Sequence, residues 1–277
     1  MPELPEVETT RLGLSPILGA CITDVAILNP SLRQPVDADL DEKLLGARMD
    51  ALTRRSKYLI IGVTGGHLIV HLGMSGSLRL TAPDAPLRKH DHIRIDLDNG
   101  FSLRFHDPRR FGLFLWTDAP WKDHPLMRAL GPEPLEPHFT AEGLYRASRS
   151  RKSPVKAFLM DNSVVVGVGN IYASETLFRC GIHPLMPACR LTPDDCLRLH
   201  AVIRVILTAA IARGGTTLRD FVNGRGNPGY FQQELAVYGR EGEPCVTCAT
   251  SLECVKIGGR SSIFCPICQP LNPERLA

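Results

Sequence analysis

Between residues 21 and 116 the apolar positions come in short bursts broken by polar or glycine-containing pairs, the texture of β-strands rather than amphipathic helices. Strands are predicted at 58–63, 67–71, 93–97 and 101–105. Gly65-Gly66 and Asn99-Gly100 lie between them and tolerate the positive φ that two-residue antiparallel hairpins require. A mainly antiparallel sandwich or barrel follows. Ahead of it, Pro5, Glu6 and Glu8 suit the first turn of a short helix whose Val7 and Leu14 share an inward face. Past Gly131 the pattern changes. Pro132, Pro134 and Pro137 predict a linker over 132–152, and helical texture begins after it. Ser153-Pro154 and Thr192-Pro193-Asp194-Asp195 read as capped helix starts. Leu199, Ile203, Ile206 and Ala210 mark the buried face of the second helix, and Gly214-Gly215 ends it. From Gly239 onward the chain is loop-rich.

Composition adds little to this outline. A length of 277 residues with 44% apolar content supports more than one core, and a net charge of +3 does not single out a nucleic-acid partner. The distribution of charge says more: Arg146, Arg149, Arg151, Lys152 and Lys156 fall in one stretch without an acidic residue, which suits either a phosphate backbone or a solvated linker. No apolar run approaches the roughly 18 residues of a membrane span. The opening residues also lack the basic and apolar segments of a secretory leader, so a cytoplasmic protein is expected.

Nine cysteines are an odd count with clustered spacing, which favours a metal site over a disulfide framework. Cys245-x2-Cys248 and Cys265-x2-Cys268 match two knuckles gripping one tetrahedral zinc, with Cys254 a spare thiol between them. Four thiolates leave no open position for water, so this zinc is expected to be structural. Gly258-Gly259-Arg260 would then be a hairpin turn presenting one arginine.

Other segments carry chemistry only weakly when each is taken alone. Gly167-Val168-Gly169-Asn170 joins glycines to a helix start and suits a phosphate, or else Asn170 simply caps its own helix. Asp107-Pro108-Arg109-Arg110-Phe111-Gly112 sets two guanidiniums and a ring in a turn, and Met74 sits between glycines on another loop. Such side chains can wedge between bases, although surface pairing and core filling are the ordinary uses. The N-terminus, Met1-Pro2-Glu3-Leu4-Pro5-Glu6, is the most unusual feature. Removal of Met1 would expose a secondary amine beside carboxylates, and attack of such an amine on an aldehydic sugar carbon gives an iminium that is charged without protonation. The ordinary reading is two prolines framing a helix start.

Taken together these motifs resemble bacterial formamidopyrimidine-DNA glycosylases: the Met-Pro-Glu-Leu-Pro-Glu opening, His71-Leu-Gly-Met-Ser-Gly, Asp107-Pro-Arg-Arg-Phe-Gly, Gly167-Val-Gly-Asn-Ile-Tyr and the four-cysteine finger agree in order and spacing. The resemblance implies an α+β fold. An N-terminal antiparallel β-sandwich with its N-terminal helix (1–131) would precede the linker (132–152), a central helix-two-turn-helix domain (153–235) and a C-terminal β-hairpin zinc finger (236–277), with duplex DNA lying between two lobes. It implies excision of oxidised purines through a Schiff base on Pro2, followed by β,δ-elimination. Glu3 would be the general acid/base, Glu6 a carboxylate supporting the sugar, and Lys57 a lysine near the lesion, with Arg260 also in the catalytic set. Met74, Arg109 and Phe111 would fill the gap left by the flipped nucleotide. His71, His90, Lys156, Asn170, Tyr238 and Arg260 would be DNA contacts, and residues 216–231 would include a loop covering the extruded base. One structural zinc is implied, with no catalytic metal or organic cofactor, and a monomer that joins the nucleoid when bound to DNA. Leu12, where many relatives have arginine, and the extra Cys254 are the departures, and the tail 269–277 is assigned no role. The alternatives are a related oxidised-pyrimidine glycosylase and a non-catalytic damaged-DNA-binding protein.

Overall fold

The computed structural model describes residues 1–216 and 234–271. The chain forms two units, Met1–Arg128 with Ile211–Gln232, and Ala129–Ala210 with Gln233–Ala277.

The first unit opens with helix α1 (Leu4–Gly13) and continues through β1 (Ile22–Ile27), the short α2 (Leu40–Leu44) and seven further strands: β2 (Met49–Arg55), β3 (Tyr58–Val63), β4 (Gly66–His71), β5 (Ser77–Thr81), β6 (Asp91–Leu97), β7 (Ser102–His106) and β8 (Leu113–Thr117). Two four-stranded antiparallel sheets result, in the orders β1-β6-β7-β5 and β2-β3-β4-β8. Their inner faces share one apolar core. Ile61, Leu68 and Phe114 come from one sheet and Ile93, Leu103 and Phe105 from the other, with Val7 and Leu14 of the α1 segment buried alongside. This is the expected sandwich with its N-terminal helix, and burial of alternating faces is what stabilises it. A short helix, α3 (Pro125–Arg128), closes this stretch.

Both predicted hairpins exist, with turns that differ in detail. Val63 pairs with Gly66, so the β3–β4 turn is Thr64-Gly65 and only Gly65 has positive φ, +93°. Gly66 is needed for another reason: a Cβ there would stand 2.5 Å from the Thr117 carbonyl oxygen of the neighbouring strand. The β6–β7 connection closes with the Leu97 N–H donating to the Phe101 carbonyl, which leaves Asp98, Asn99 and Gly100 as a three-residue loop.

The second unit corrects the linker. Thr140 caps a helix, α4 (Ala141–Ser148), by accepting from the Gly143 N–H at 3.0 Å, and Leu144 is buried beneath it. The prolines at 132–137 punctuate folded chain rather than a free spacer. Helices α5 (Val155–Leu159), α6 (Asn170–Cys180) and α7 (Pro193–Ala212) follow. Helix α5 begins after Pro154, not at it, because Pro154 is extended and the Val155 N–H donates to the Met186 carbonyl. Helix α7 starts as predicted, in a reciprocal cap. The Asp195 N–H donates to the Thr192 hydroxyl and the Thr192 N–H to the Asp195 carboxylate. Leu199, Ile203, Ile206 and Ala210 are all buried. The C-terminal hairpin pairs β9 (Glu253–Ile257) with β10 (Arg260–Phe264) across a Gly258-Gly259 turn, whose two positive φ angles make it a primed hairpin.

Candidate active site and nucleic-acid interface

Within the first unit, the start of α1 and the β2–β3 turn carry four of the five predicted catalytic residues, Pro2, Glu3, Glu6 and Lys57; the fifth, Arg260, belongs to the second unit. Pro2 is buried, and Glu3 and Glu6 sit at the helix start as a reciprocal pair: the Glu6 carboxylate accepts the Glu3 N–H at 2.8 Å, and the Glu3 carboxylate accepts the Glu6 N–H. The other Glu6 oxygen, Oε1, accepts from both the N–H and the hydroxyl of Thr216, at 2.8 and 2.9 Å. Glu6 is therefore a fixed post rather than a free carboxylate. The amino group of Met1 occupies the neighbourhood of the amine that Pro2 would expose. Burial, the largest influence, lowers its pKa; Glu3 and Glu6 oppose this, Lys57 and Arg109 reinforce it, and the net shift is downward. These surroundings favour the neutral form of an amine held there.

Lys57 lies in the two-residue turn that joins β2 to β3, since Arg55 pairs with Tyr58, and it is only 7% exposed. His71, on the neighbouring strand opposite Tyr58, stacks on the Tyr58 ring with centroids 4.9 Å apart. Its Nδ1 accepts the Gly73 N–H at 2.9 Å, which leaves the proton on Nε2. Burial first, then the charges of Lys57 and Arg33, push its pKa down to about 4. His71 is thus a neutral hydrogen-bond donor near neutral pH.

The residues expected to fill the gap, Met74, Arg109 and Phe111, are displayed outward on two interlocked loops. Met74 is 44% and Phe111 45% exposed, and the Arg109 guanidinium stacks 5.0 Å over the Phe111 ring. The loops approach so closely that a Cβ on Gly73 would stand 2.6 Å from the Gly112 nitrogen. Asp107, fully buried, joins them. Its carboxylate accepts from the Ser75 hydroxyl and from the Arg109 and Gly112 N–H groups at 3.2, 3.3 and 2.8 Å. His92 donates from Nε2 to the Asp107 carbonyl at 2.7 Å, and the Asp107 N–H donates to the carbonyl of His90. His90, half-buried beside His106, thus supports this turn through its backbone. Sequence reasoning assigned no role to Asp107, although an Asp two residues before a loop N–H is a recognisable turn signal.

The second unit holds the remaining positions. Asn170 begins α6 but does not cap it. The N-cap is Gly169, and among the described residues the buried Asn170 Oδ1 has no hydrogen-bond partner. Tyr238 is half-buried, and its N–H, with those of Ala236 and Val237, donates to the buried Glu175 carboxylate at 2.9 to 3.0 Å. Arg260 is exposed at the start of β10. Lys156 is engaged within the protein. It is 1% exposed, and its Nζ donates to the Ser261 carbonyl at 3.1 Å and the Ser262 hydroxyl at 2.7 Å, so it braces the hairpin that carries Arg260 and presents no ammonium to a ligand. Much of the basic stretch is likewise engaged, with Arg149 on the Leu191 carbonyl and the Tyr145 ring and Arg151 on Asp161. Residues 217–231 of the predicted covering loop, and 272–277 of the tail, lie outside the described residues.

The sulfurs of Cys245, Cys248, Cys265 and Cys268 all lie within 4.8 Å of one another, with Cys245–Cys268 at 3.9 Å and Cys248–Cys265 at 3.4 Å. Tetrahedral Zn–S bonds of about 2.3 Å require sulfurs about 3.8 Å apart, so the four thiolates fit one structural zinc. Cys254 lies outside this group, packed beside the small core that holds Cys245 and Cys265.

Family comparison covers nearly the whole chain. Residues 1–114 match the formamidopyrimidine-DNA glycosylase N-terminal domain, 130–222 its H2TH domain, and 242–271 the zinc finger found in FPG and IleRS. The formamidopyrimidine-DNA glycosylase of Marinobacter nauticus is 55% identical over 270 residues, covering 97% of this chain and 100% of the relative. The chain belongs to the formamidopyrimidine-DNA glycosylase family. Among solved structures of that family, the Lactococcus lactis FPG mutant G226P in complex with Fapy-dG-containing DNA is 34% identical with a TM-score of 0.90, covering 98% and 100% of the two chains. MutM in complex with carbocyclic 8-oxo-G-containing DNA is 35% identical with a TM-score of 0.89 and the same coverage. Among the described residues no helix is long and apolar enough to cross a membrane.

Proposed function

We propose that the chain is a DNA glycosylase of base excision repair that removes oxidised purines, 8-oxoguanine and formamidopyrimidines, from duplex DNA and then cleaves the strand with the amine of Pro2 once Met1 has been removed. The observation that carries this reading is the half-buried amino terminus, its basicity lowered, grouped with the buried Glu3, Glu6 and Lys57. A protein that only binds DNA gains nothing from such an amine.

In the proposed reaction the nucleotide leaves the stack, because its anomeric carbon is shielded there, and Met74, Arg109 and Phe111 occupy the gap. The Pro2 lone pair forms a bond to C1′, the glycosidic bond breaks, and the base leaves with a proton. Ring opening at O4′, assisted by Glu3 as proton donor, gives the iminium. Loss of a proton from C2′ expels the 3′ phosphate, and a second elimination expels the 5′ phosphate. Water then hydrolyses the iminium and returns the amine. Glu6 holds the Glu3 backbone in place, and Lys57 and the neutral His71 offer donors to the nearby phosphate. Asn170, Tyr238 and Arg260, with Arg260 also serving catalysis, would grip the DNA backbone, and Lys156 would serve them by bracing the finger. Residues 1–131 carry the chemistry, 153–235 and 236–277 carry backbone binding, and the protein works in the cytoplasm as a monomer on the nucleoid. The zinc holds the finger in shape.

Borohydride trapping on 8-oxoguanine duplex tests the reading. A covalent adduct is expected, greatly reduced by Pro2→Gly, with intact mass confirming that Met1 is absent. Binding without an adduct would mean a non-catalytic protein, and preferential trapping on an oxidised-pyrimidine duplex would transfer the assignment to the related pyrimidine glycosylases.

A further inference from the structure

Lys57 works only if its amine stands at a fixed place beside the amino terminus, yet it is carried by a turn that is conformationally demanding. The residue before it, Ser56, has a φ of +55° without being glycine or asparagine and is 1% exposed. A left-handed, buried serine persists when its surroundings over-determine it. Arg54 supplies part of that determination. Its Nη1 donates to the Ser56 carbonyl at 2.9 Å, while Nε of the same guanidinium donates to the Glu8 carboxylate at 3.0 Å. Glu8 lies on α1, the helix that Glu3 precedes as N-cap and whose first turn holds Glu6, and Arg11 grips it from the other side at 2.7 Å. Burial would raise the Glu8 pKa, but the hydrogen bonds and charges of Arg11 and Arg54 outweigh it and hold the carboxyl below the usual range. Both ends of the strut are therefore firm.

We propose that Arg54, anchored by Glu8, is a positioning residue that ties the Lys57 turn to helix α1 and so sets the Lys57 amine against the amino-terminal nucleophile. The inference rests on the proposed function, because Pro2 chemistry is what Lys57 is positioned for. The Arg54 side chain is 11% exposed, with two donors committed within the protein, so it acts on the reaction through Lys57 rather than by touching DNA. The rigid fork of arginine fits this bridge, reaching a carboxylate and a carbonyl from one planar group, which a lysine ammonium on a flexible stem would hold poorly.

The test measures borohydride-trapping rates on DNA with a preformed abasic site, from pH 5 to 9, for the wild type, Arg54→Gln, Lys57→Gln and the double variant, with zinc content and circular dichroism as folding controls. Arg54→Gln is expected to slow trapping about ten-fold. It should also move the acid limb of the profile to higher pH, since a displaced Lys57 no longer depresses the amine. The double variant should match Lys57→Gln alone within about two-fold, the mark of two residues acting through one group. Additive losses, an unmoved acid limb, or a fall of about one in the salt-dependence slope of DNA binding would each overturn the inference. Should Arg54→Gln fail to fold, Glu8→Gln carries the same test, because it keeps an acceptor while removing the anchoring charge. A wild type that forms no adduct would instead refute the proposed function, and the inference with it.

Discussion

The Ser75 hydroxyl donates to the Asp107 carboxylate across 3.2 Å, joining the loop that displays Met74 to the loop that displays Arg109 and Phe111. The same carboxylate accepts the Arg109 and Gly112 N–H groups, so the loops that carry Met74, Arg109 and Phe111 share one buried fixture. Asp107→Asn would turn an amide N–H₂ toward one of these donors and leave a backbone N–H unmatched. We expect excision of 8-oxoguanine from intact duplex to fall about ten-fold or more, because the proposed base extrusion depends on a rigid wedge. Strand cleavage at a preformed abasic site, where no base needs displacing, should fall much less. Equal losses on the two substrates, compared in single-turnover assays, would show that Asp107 serves general stability instead.

His71 predicts a pH dependence of stability. Burial, with Lys57 and Arg33, holds its folded pKa at about 4, against about 6.5 for a free histidine. The folded state therefore binds fewer protons than the unfolded state between these values, and stability rises with pH across that window. The contribution is fully present above about pH 6.5 and lost as pH falls toward 4, on the order of 3 kcal/mol in all. Urea unfolding from pH 4.5 to 7.5 should show a slope that His71→Gln flattens. An identical slope in the variant would assign the acid sensitivity to other groups.

Zinc removal should act locally. The four cysteines hold the two ends of the β9–β10 hairpin segment, while the sandwich core draws on none of them. Chelation is expected to abolish tight DNA binding by releasing Arg260, with the thermal transition of the sandwich retained. Lys156→Met should weaken binding in the same direction while keeping its zinc, because it removes the brace on Ser261 and Ser262 and leaves the thiolates intact. Metal analysis alongside binding isotherms separates the two. Full affinity in the verified metal-free protein would exclude the finger from DNA binding.

What was legible in the sequence follows from the range of the interactions involved. The strand at 58–63, the start of α7 and the four cysteines were readable because each depends on local periodicity, a cap or a spacing rule. The wedge loops could be placed but not explained. The Asp107–Ser75 bond spans thirty-two positions and the Glu6–Thr216 pair two hundred and ten, separations on which local patterns carry no information. The contacts of Lys156 were out of reach of the sequence for a related reason. A lysine in a basic stretch looks solvent-facing until the hairpin more than a hundred residues later closes over its ammonium. The helix at 141–148 was hidden by the prolines before it, whose effect ends at the Thr140 cap.

Glu175 offers the sharpest stability test in the second unit. Its carboxylate, 1% exposed on α6, accepts from three consecutive backbone N–H groups, Ala236 on Oε2 and Val237 and Tyr238 on Oε1, and so fixes the segment that leads into the finger. Glu175→Gln keeps one oxygen for Val237 and Tyr238 but points an amide donor at the Ala236 N–H, leaving both groups buried and opposed. Bonds to a charged acceptor contribute about 1.5–3 kcal/mol each, so a loss of about 2 kcal/mol is expected for Gln and about 3 kcal/mol or more for Ala. Hydrogen exchange at Ala236, Val237 and Tyr238 should accelerate before exchange in the sandwich does, because the damage begins where the donors lose their acceptor. The finger would lose its fixed approach at the same time, so DNA affinity should fall with exchange protection across Glu175→Asp, Gln and Ala. Affinity that stays constant while these amides exchange freely would show that the segment's order is not what seats the finger.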